Sequence, residues 1–295
     1  MDIWAGSHRA TVVEVGGGLR SYTVGDRALL DGYPIEEMCS GARGQLLIPW
    51  PNRLENGEFS FGGKRLQVPI TEPQRGNAIH GLTRWSSWEP SDQQDACVTL
   101  RHHLLPQPGW PFPLLLEARY LLDDKGLTVE VAATNEGREP CPFGLGAHPY
   151  LTAGTPRIDS ATLVAPGAVS IPVDDRMLPI GHAPVEGTSF DFRQAREIGD
   201  LQLDLAYTDL QRRDDGLAWV ELRAPDGRGA GLWMDESFRF VELFTGDGLS
   251  TKQRRRGLGV EPMTCPPNAL RSGEGLIVLE PGERFRGSWG VCPLS

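Results

Sequence analysis

The chain of 295 residues carries a formal net charge of −10, which argues against a nucleic-acid partner because phosphate binding needs a basic face. Its 39% hydrophobic and 23% charged composition is that of a globular protein, and no apolar run approaches the ~20 residues needed to cross a bilayer. Cys39, Cys97, Cys141, Cys265 and Cys292 are widely spread with no C-x-x-C pair, so buried free thiols are expected rather than zinc or redox work.

The opening M-D-I-W-A-G-S-H-R has no basic segment followed by an apolar core, so no secretory signal is read and the cytoplasm is the expected location. Period-two alternation then recurs along the chain, cut at short intervals by turn residues. Thr11 to Val15 runs into Gly16-Gly17-Gly18, a hairpin signal. Glu58-Phe59-Ser60-Phe61 reaches Gly62-Gly63 before Lys64 to Val68, a hairpin signal. Leu127, Val129 and Val131 alternate with Thr128, Glu130 and Ala132, a strand with one apolar face. Ala218 to Leu222 meets Pro225-Asp226-Gly227, another hairpin turn.

Helical periodicity is almost absent; its best candidate, 193–210, is interrupted by Gly199. A parallel α/β sheet would need a crossover helix between most strands, so an all-β chain is predicted. No Pro/Gly/Ser tract marks a linker and no fixed period marks a repeat, so one domain over residues 1–295 is expected.

Among residues that could do chemistry, Arg53 lies in P-W-P-N-R-L-E-N-G beside Trp50 and Asn52; a plain hairpin arginine is the alternative. His80 lies in G-N-A-I-H-G-L, and His148 in G-L-G-A-H-P-Y-L, where Pro149 pushes it toward extended backbone. Each taken singly reads more often as a hydrogen-bonded structural histidine. His102 and His103 fall on opposite faces of a strand, so at least one is solvated. Asp204 interrupts the apolar run L-Q-L-D-L-A-Y, with capping or a salt bridge as the bland reading. Glu261 sits between Gly259-Val260 and P-M-T-C-P-P-N; burial would raise its pKa unless it meets cations, which is how a general base is tuned. K-Q-R-R-R at 252–256 reads as a solvated loop or, alternatively, a contact to an anionic substrate. There is no H-E-x-x-H, no G-x-x-x-x-G-K-[ST] and no G-x-S-x-G, which leaves metal-free, cofactor-free acid/base chemistry on a polar ligand.

Read in order, N-R-L-E-N-G-E-F, N-A-I-H-G, A-H-P-Y-L, L-D-L-A-Y, V-E-P-M-T-C-P-P-N-A, L-E-P-G-E and S-W-G-V resemble the aldose 1-epimerase (galactose mutarotase) family over roughly residues 45 to 291. The resemblance implies a β-supersandwich of large antiparallel sheets with a concave sugar-binding face. It implies that Glu261 is the general base, His148 the general acid and His80 a second active-site histidine. Arg53, with Asn52 in the same motif, and Asp204 would hold sugar hydroxyls; Trp50, Tyr150, Trp233 and Phe244 are candidates to stack on the sugar. Gly146 and Ala147 would leave room for the ring.

Galactose-type members usually read H-G-G where this chain has His80-Gly81-Leu82, so it looks closer to a bacterial mutarotase-like branch. The resemblance implies interconversion of the α and β anomers of a free aldose, with a small sugar as partner and no nucleic acid or membrane. An epimerase for a phosphorylated or sulfonated sugar, using Arg254 to Arg256, is the variant within this class. A non-catalytic carbohydrate-binding protein is the rival from another class.

Overall fold

A computed structural model describes residues 1–295. Its one helix is the short Ala269–Ser272, so the chain is all-β as predicted. The helix considered for 193–210 is absent: that stretch holds the strands Arg196–Glu197 and Asp204–Leu210. Ala206 and Tyr207, adjacent in the second strand, are both buried, so cover on two faces erases the period-two signature that would have marked it as β.

Two large antiparallel sheets carry most of the fold. The nine-stranded sheet runs in the order Glu89–Gln94, Cys97–Leu104, Leu114–Leu122, Leu127–Asn135, Arg284–Leu294, Gly229–Met234, Ala218–Arg223, Thr162–Val164, Arg196–Glu197. Leu114, Leu116, Ala118, Tyr120 and Leu122 point into the core, each buried Leu being worth about 1.5–3 kcal/mol. Between them Glu117 and Arg119 point outward into ion pairs with Arg101 at 2.9 Å and Glu130 at 3.2 Å. The three predicted hairpins form: His8–Val12 with Leu19–Val24 around the glycine turn, Glu58–Phe61 with Lys64–Gln67, and Ala218–Arg223 with Gly229–Met234.

The second large sheet centres on Asp204–Leu210, Phe240–Phe244 and Leu258–Met263, and both its faces are largely covered. Val241, Leu243, Leu258 and Val260 join a core of 59 buried side chains that also draws on the nine-stranded sheet. Because strand side chains alternate, Phe240, Glu242, Phe244, Gly259, Glu261 and Met263 must occupy the opposite face. At one end of that face Ile171, Ala206, Phe240 and Met263 make a small apolar cluster; beside it, register sets Glu242 directly against Glu261. All five cysteines are unpaired, and four of them are buried, as expected.

Candidate active site

The floor of the site follows from that register. Glu261 is buried mid-strand, and the segment 146–151 lies along the same strand, pairing through Gly146 with Met263 and through Tyr150 with Gly259. The His148 N–H donates to the Gln45 carbonyl at 3.1 Å, and its own carbonyl accepts from Gly44 N–H at 2.8 Å. With backbone fixed at both ends, the imidazole lies against Gly259, where an added Cβ would sit 3.4 Å from Cε1. His148 Nε2 is then 3.0 Å from Glu261 Oε1.

His80 arrives from a separate ribbon, Arg53–Glu55 paired with Asn77–Ile79. His80 and Asn52 both take left-handed backbone, with φ of 63° and 54°, a conformation costly for residues other than glycine and common at functional sites. They are locked to each other: His80 N–H donates to the Asn52 carbonyl at 2.9 Å and Asn52 N–H donates to His80 Nδ1 at 3.2 Å. A backbone N–H can only donate, so Nδ1 is an acceptor and the ring proton sits on Nε2. The next residue, Gly81, has φ 74°, and a Cβ there would lie 2.0 Å from the Ile48 carbonyl oxygen, so only glycine fits. The His80 and His148 rings meet edge to face, 5.4 Å between centroids.

Burial decides the charge state of this floor. It pushes His148 down to about 3, with Arg84 and Arg43 adding to the effect, and it pushes His80 well below its usual range. It pushes Glu261 well above the usual carboxylate range, helped by Asp204 and opposed by Arg53 and Arg84. At rest the 3.0 Å contact therefore sets a neutral carboxyl against a neutral imidazole. Moving the carboxyl proton of Glu261 to the ring of His148 would give imidazolium and carboxylate with no change in net charge. Glu261 Oε2 and His148 Nδ1 are buried without partners, so valences remain open at the pair.

Arg53 forms the side wall. Its Nε and Nη2 grip Glu72 at 3.0 and 3.2 Å, while Nη1 is 3.9 Å from Asp204. Tyr150 stacks on His148 at 4.9 Å with an interplanar angle of 6°, and Arg43 lies 4.4 Å over the Tyr150 ring. Phe244 presents an edge to both rings.

Asn52, Arg53, His80, His148, Asp204, Phe244 and Glu261 thus line one cavity of about 330 Å³, together with Tyr150 and Arg84. This lies at the small end of the ~300–1,000 Å³ typical of small-molecule sites and suits a monosaccharide. His80, His148 and Glu261 also bring donor atoms within 4.8 Å of one another, a set compact enough for a divalent cation.

Several expectations need correction. Trp233 is not in the cavity: it stands on the nine-stranded sheet opposite Trp219 and packs over Gly290. Trp50 is a core residue against Trp110. A Cβ on Gly146 would lie 2.7 Å from Pro51, and Ala147 is in the core, so these small residues make room for protein rather than sugar. Arg255 is neither solvated nor in the cavity; it is buried and paired with Asp159 at 2.7 Å and Asp247 at 3.2 Å, while Arg256 reaches Asp31 at 2.7 Å. Sequence reading also missed Arg84, Glu72 and Glu242. Glu242 carried the same signal as Glu261, an acid inside an apolar strand, F-V-E-L-F.

A family model described as aldose 1-epimerase matches residues 4–291. The uncharacterized protein YihR of Escherichia coli (strain K12) is 35% identical over 287 residues, covering 97% of this chain and 90% of that protein. Galactose mutarotase of Mus musculus is 30% identical over 180 residues, 58% of this chain and 50% of the mouse protein. Among solved structures, a GalM/aldose epimerase homologue from C. elegans aligns with a TM-score of 0.89 at 19% identity, over 99% of this chain and 98% of that one. Galactose 1-epimerase from Lactobacillus acidophilus NCFM aligns with a TM-score of 0.80 at 21% identity, over 97% and 91%. At these identities the structural likeness concerns the fold.

Proposed function

The chain belongs to the aldose 1-epimerase family of isomerases, and from that premise we propose that it interconverts the α and β anomers of a free aldohexose or related aldose. The observation that carries this reading is the buried His148–Glu261 contact at 3.0 Å, flanked by His80 on the floor of a sugar-sized cavity. Glu261 as carboxylate takes the proton of the C1 hydroxyl. The C1–O5 bond breaks as a carbonyl forms at C1, its electron pair passes to the ring oxygen, and the ring oxygen takes the proton held by His148. Rotation about C1–C2 and the reverse transfers give the other anomer. Each proton transfer of this kind is worth roughly 10²- to 10⁴-fold.

His80, neutral with its proton on Nε2, donates a hydrogen bond to charge developing on the ring oxygen without competing for the transferred proton. Arg53 and Asp204 hold hydroxyls on the far side of the ring, and Phe244 offers an aromatic edge. Anomer-resolved NMR or polarimetry on freshly dissolved α-aldoses tests the reading. Enzyme-dependent equilibration of at least one aldose is expected; rates equal to buffer across a broad panel would end it.

A second reading within the same chemistry takes an anionic sugar. It rests on Arg84, which lines the cavity, is pushed below its usual range by burial, and forms none of the ion pairs that engage Arg43, Arg53 and Arg255. A sugar phosphate or sulfonate preferred over its neutral parent, with the preference lost in Arg84→Gln, would support it. Equal kcat/KM for both would remove it.

A further inference from the structure

Glu242 takes no part in the proton transfers above, yet it is buried in the same wall, 3% exposed, at the centre of Phe240–Phe244. Register puts it directly opposite Glu261 on one neighbouring strand, and its carboxyl is in hydrogen-bonding contact with Asp204 of the other. Four carboxyl groups therefore crowd this side of the site: Glu72, Asp204, Glu242 and Glu261. The cations facing them are few. Arg53 spends two nitrogens on Glu72 and turns the third toward Asp204, Arg75 sits on Glu72 at 2.9 Å, and Arg84 lies on the side of Glu261.

What Glu242 receives from its own surroundings is a neutral amide. Asn52 Oδ1 accepts from the Arg53 N–H at 2.8 Å, which fixes the side-chain orientation and leaves its NH2 to donate to Glu242 Oε2 at 3.3 Å. A buried and a half-buried carboxyl in hydrogen-bonding contact do not both carry charge; one keeps the proton and donates to the other. Asp204 has the guanidinium of Arg53 within reach and is the more exposed of the two, so Asp204 is the anion.

Resting on the sugar-site reading above, we propose that Glu242 is a positioning residue: a neutral carboxylic acid whose hydroxyl donates to the Asp204 carboxylate and aims it at a sugar hydroxyl. Its second consequence concerns the base. A proton on Glu242 keeps a second negative charge from standing directly opposite Glu261, which lets Glu261 ionise when the reaction requires it. Burial, Asp204 and Glu261 all hold Glu242 well above the usual carboxylate range, against the pull of Arg53. Tyr207, also near Glu242, is itself pushed up by burial and stays neutral.

Two arms test the proposal. Removing the donor in Glu242→Leu is expected to raise KM by about 30-fold with kcat changed less, since a hydrogen bond to a charged group is worth ~1.5–3 kcal/mol. Glu242→Gln restores a donor and is expected to recover most of that loss, while abolishing the rise of KM that the wild type shows as the proton leaves at alkaline pH. A Gln variant no better than Leu, or one that keeps the wild-type pH dependence of KM, overturns the proposal. The second arm needs no turnover. Side-chain carboxyl ¹³C NMR of the wild type at neutral pH is expected to show a protonated glutamate resonance that is missing from Glu242→Gln. If the missing resonance is that of an ionised carboxylate, Glu242 is not the proton carrier, whether or not the enzyme proves to be an epimerase.

Discussion

The two large sheets use the same alternation for opposite ends. On the nine-stranded sheet, Glu117, Arg119 and Glu130 point outward, where pairs such as Arg119–Glu130 at 3.2 Å are open to water. On the second sheet, Glu242, Glu261 and their neighbour Asp204 point into a covered face that also holds His80, His148 and Arg53. Charge is cheap on the first and costly on the second, because an ionised group loses its hydration when buried. The difference teaches where to look for chemistry: the covered face tolerates acids only when they share protons or meet guanidinium groups, and both arrangements are present there.

The sharpest way to break this contrast is to neutralise the covered pair. Glu261→Gln and His148→Asn are each expected to lower kcat by about 10²- to 10⁴-fold, measured by anomer exchange, with thermal unfolding little changed. The double variant should lose much less than the product of the two, because the residues act as a unit. Next comes the wall. Arg53→Leu removes the paired hydrogen bonds to buried Glu72, leaving it to Arg75 and Asn77, and is expected to cost about 1.5–3 kcal/mol in denaturant unfolding. Gly81→Ala forces a Cβ onto the Ile48 carbonyl and is expected to cost at least ~1–3 kcal/mol while displacing His80.

Acid titration separates the faces more gently. His148 has a folded value of about 3 against the ordinary 6.5, so between those values the unfolded chain binds the extra proton. The stability it contributes is complete above pH 6.5 and drains away as pH falls toward 3. His148→Asn should flatten that part of the stability profile; an unchanged profile would mean the imidazole is not held neutral. Smallest of all, Arg119→Ala on the open sheet is expected to change stability by no more than about 0.5 kcal/mol and leave anomer exchange untouched.

The same contrast explains what the sequence made legible. Leu127, Val129 and Val131 are buried while Thr128 and Glu130 between them face outward, and this alternation makes the strand legible in the sequence. Where both faces are covered the pattern blurs, which is why 193–210 carries the strongest helical periodicity of the chain although it holds two strands. His148 and Glu261 stood out only through the order of motifs, since a single buried histidine or acid has ordinary structural explanations. Glu242 carries the same local signal as Glu261 but lies in none of those ordered motifs, and nothing in F-V-E-L-F tells that its cross-strand partner is Glu261. Trp233 was misplaced because an aromatic residue in a strand does not reveal which sheet it will join. The burial of Arg255 is hidden in sequence because Asp159 comes from a distant loop, although Asp247 lies eight residues earlier in the same connection.

The central claim is that Glu261 and His148 work on the two oxygens of one anomeric centre. A crystal structure with a bound aldose tests it directly. The account predicts O1 within about 2.6–3.2 Å of a Glu261 carboxyl oxygen, the ring oxygen facing His148 and His80, and a distal hydroxyl on Asp204 and Arg53. A sugar bound in this cavity with C1 turned away from Glu261, or seated outside the cavity altogether, would contradict it.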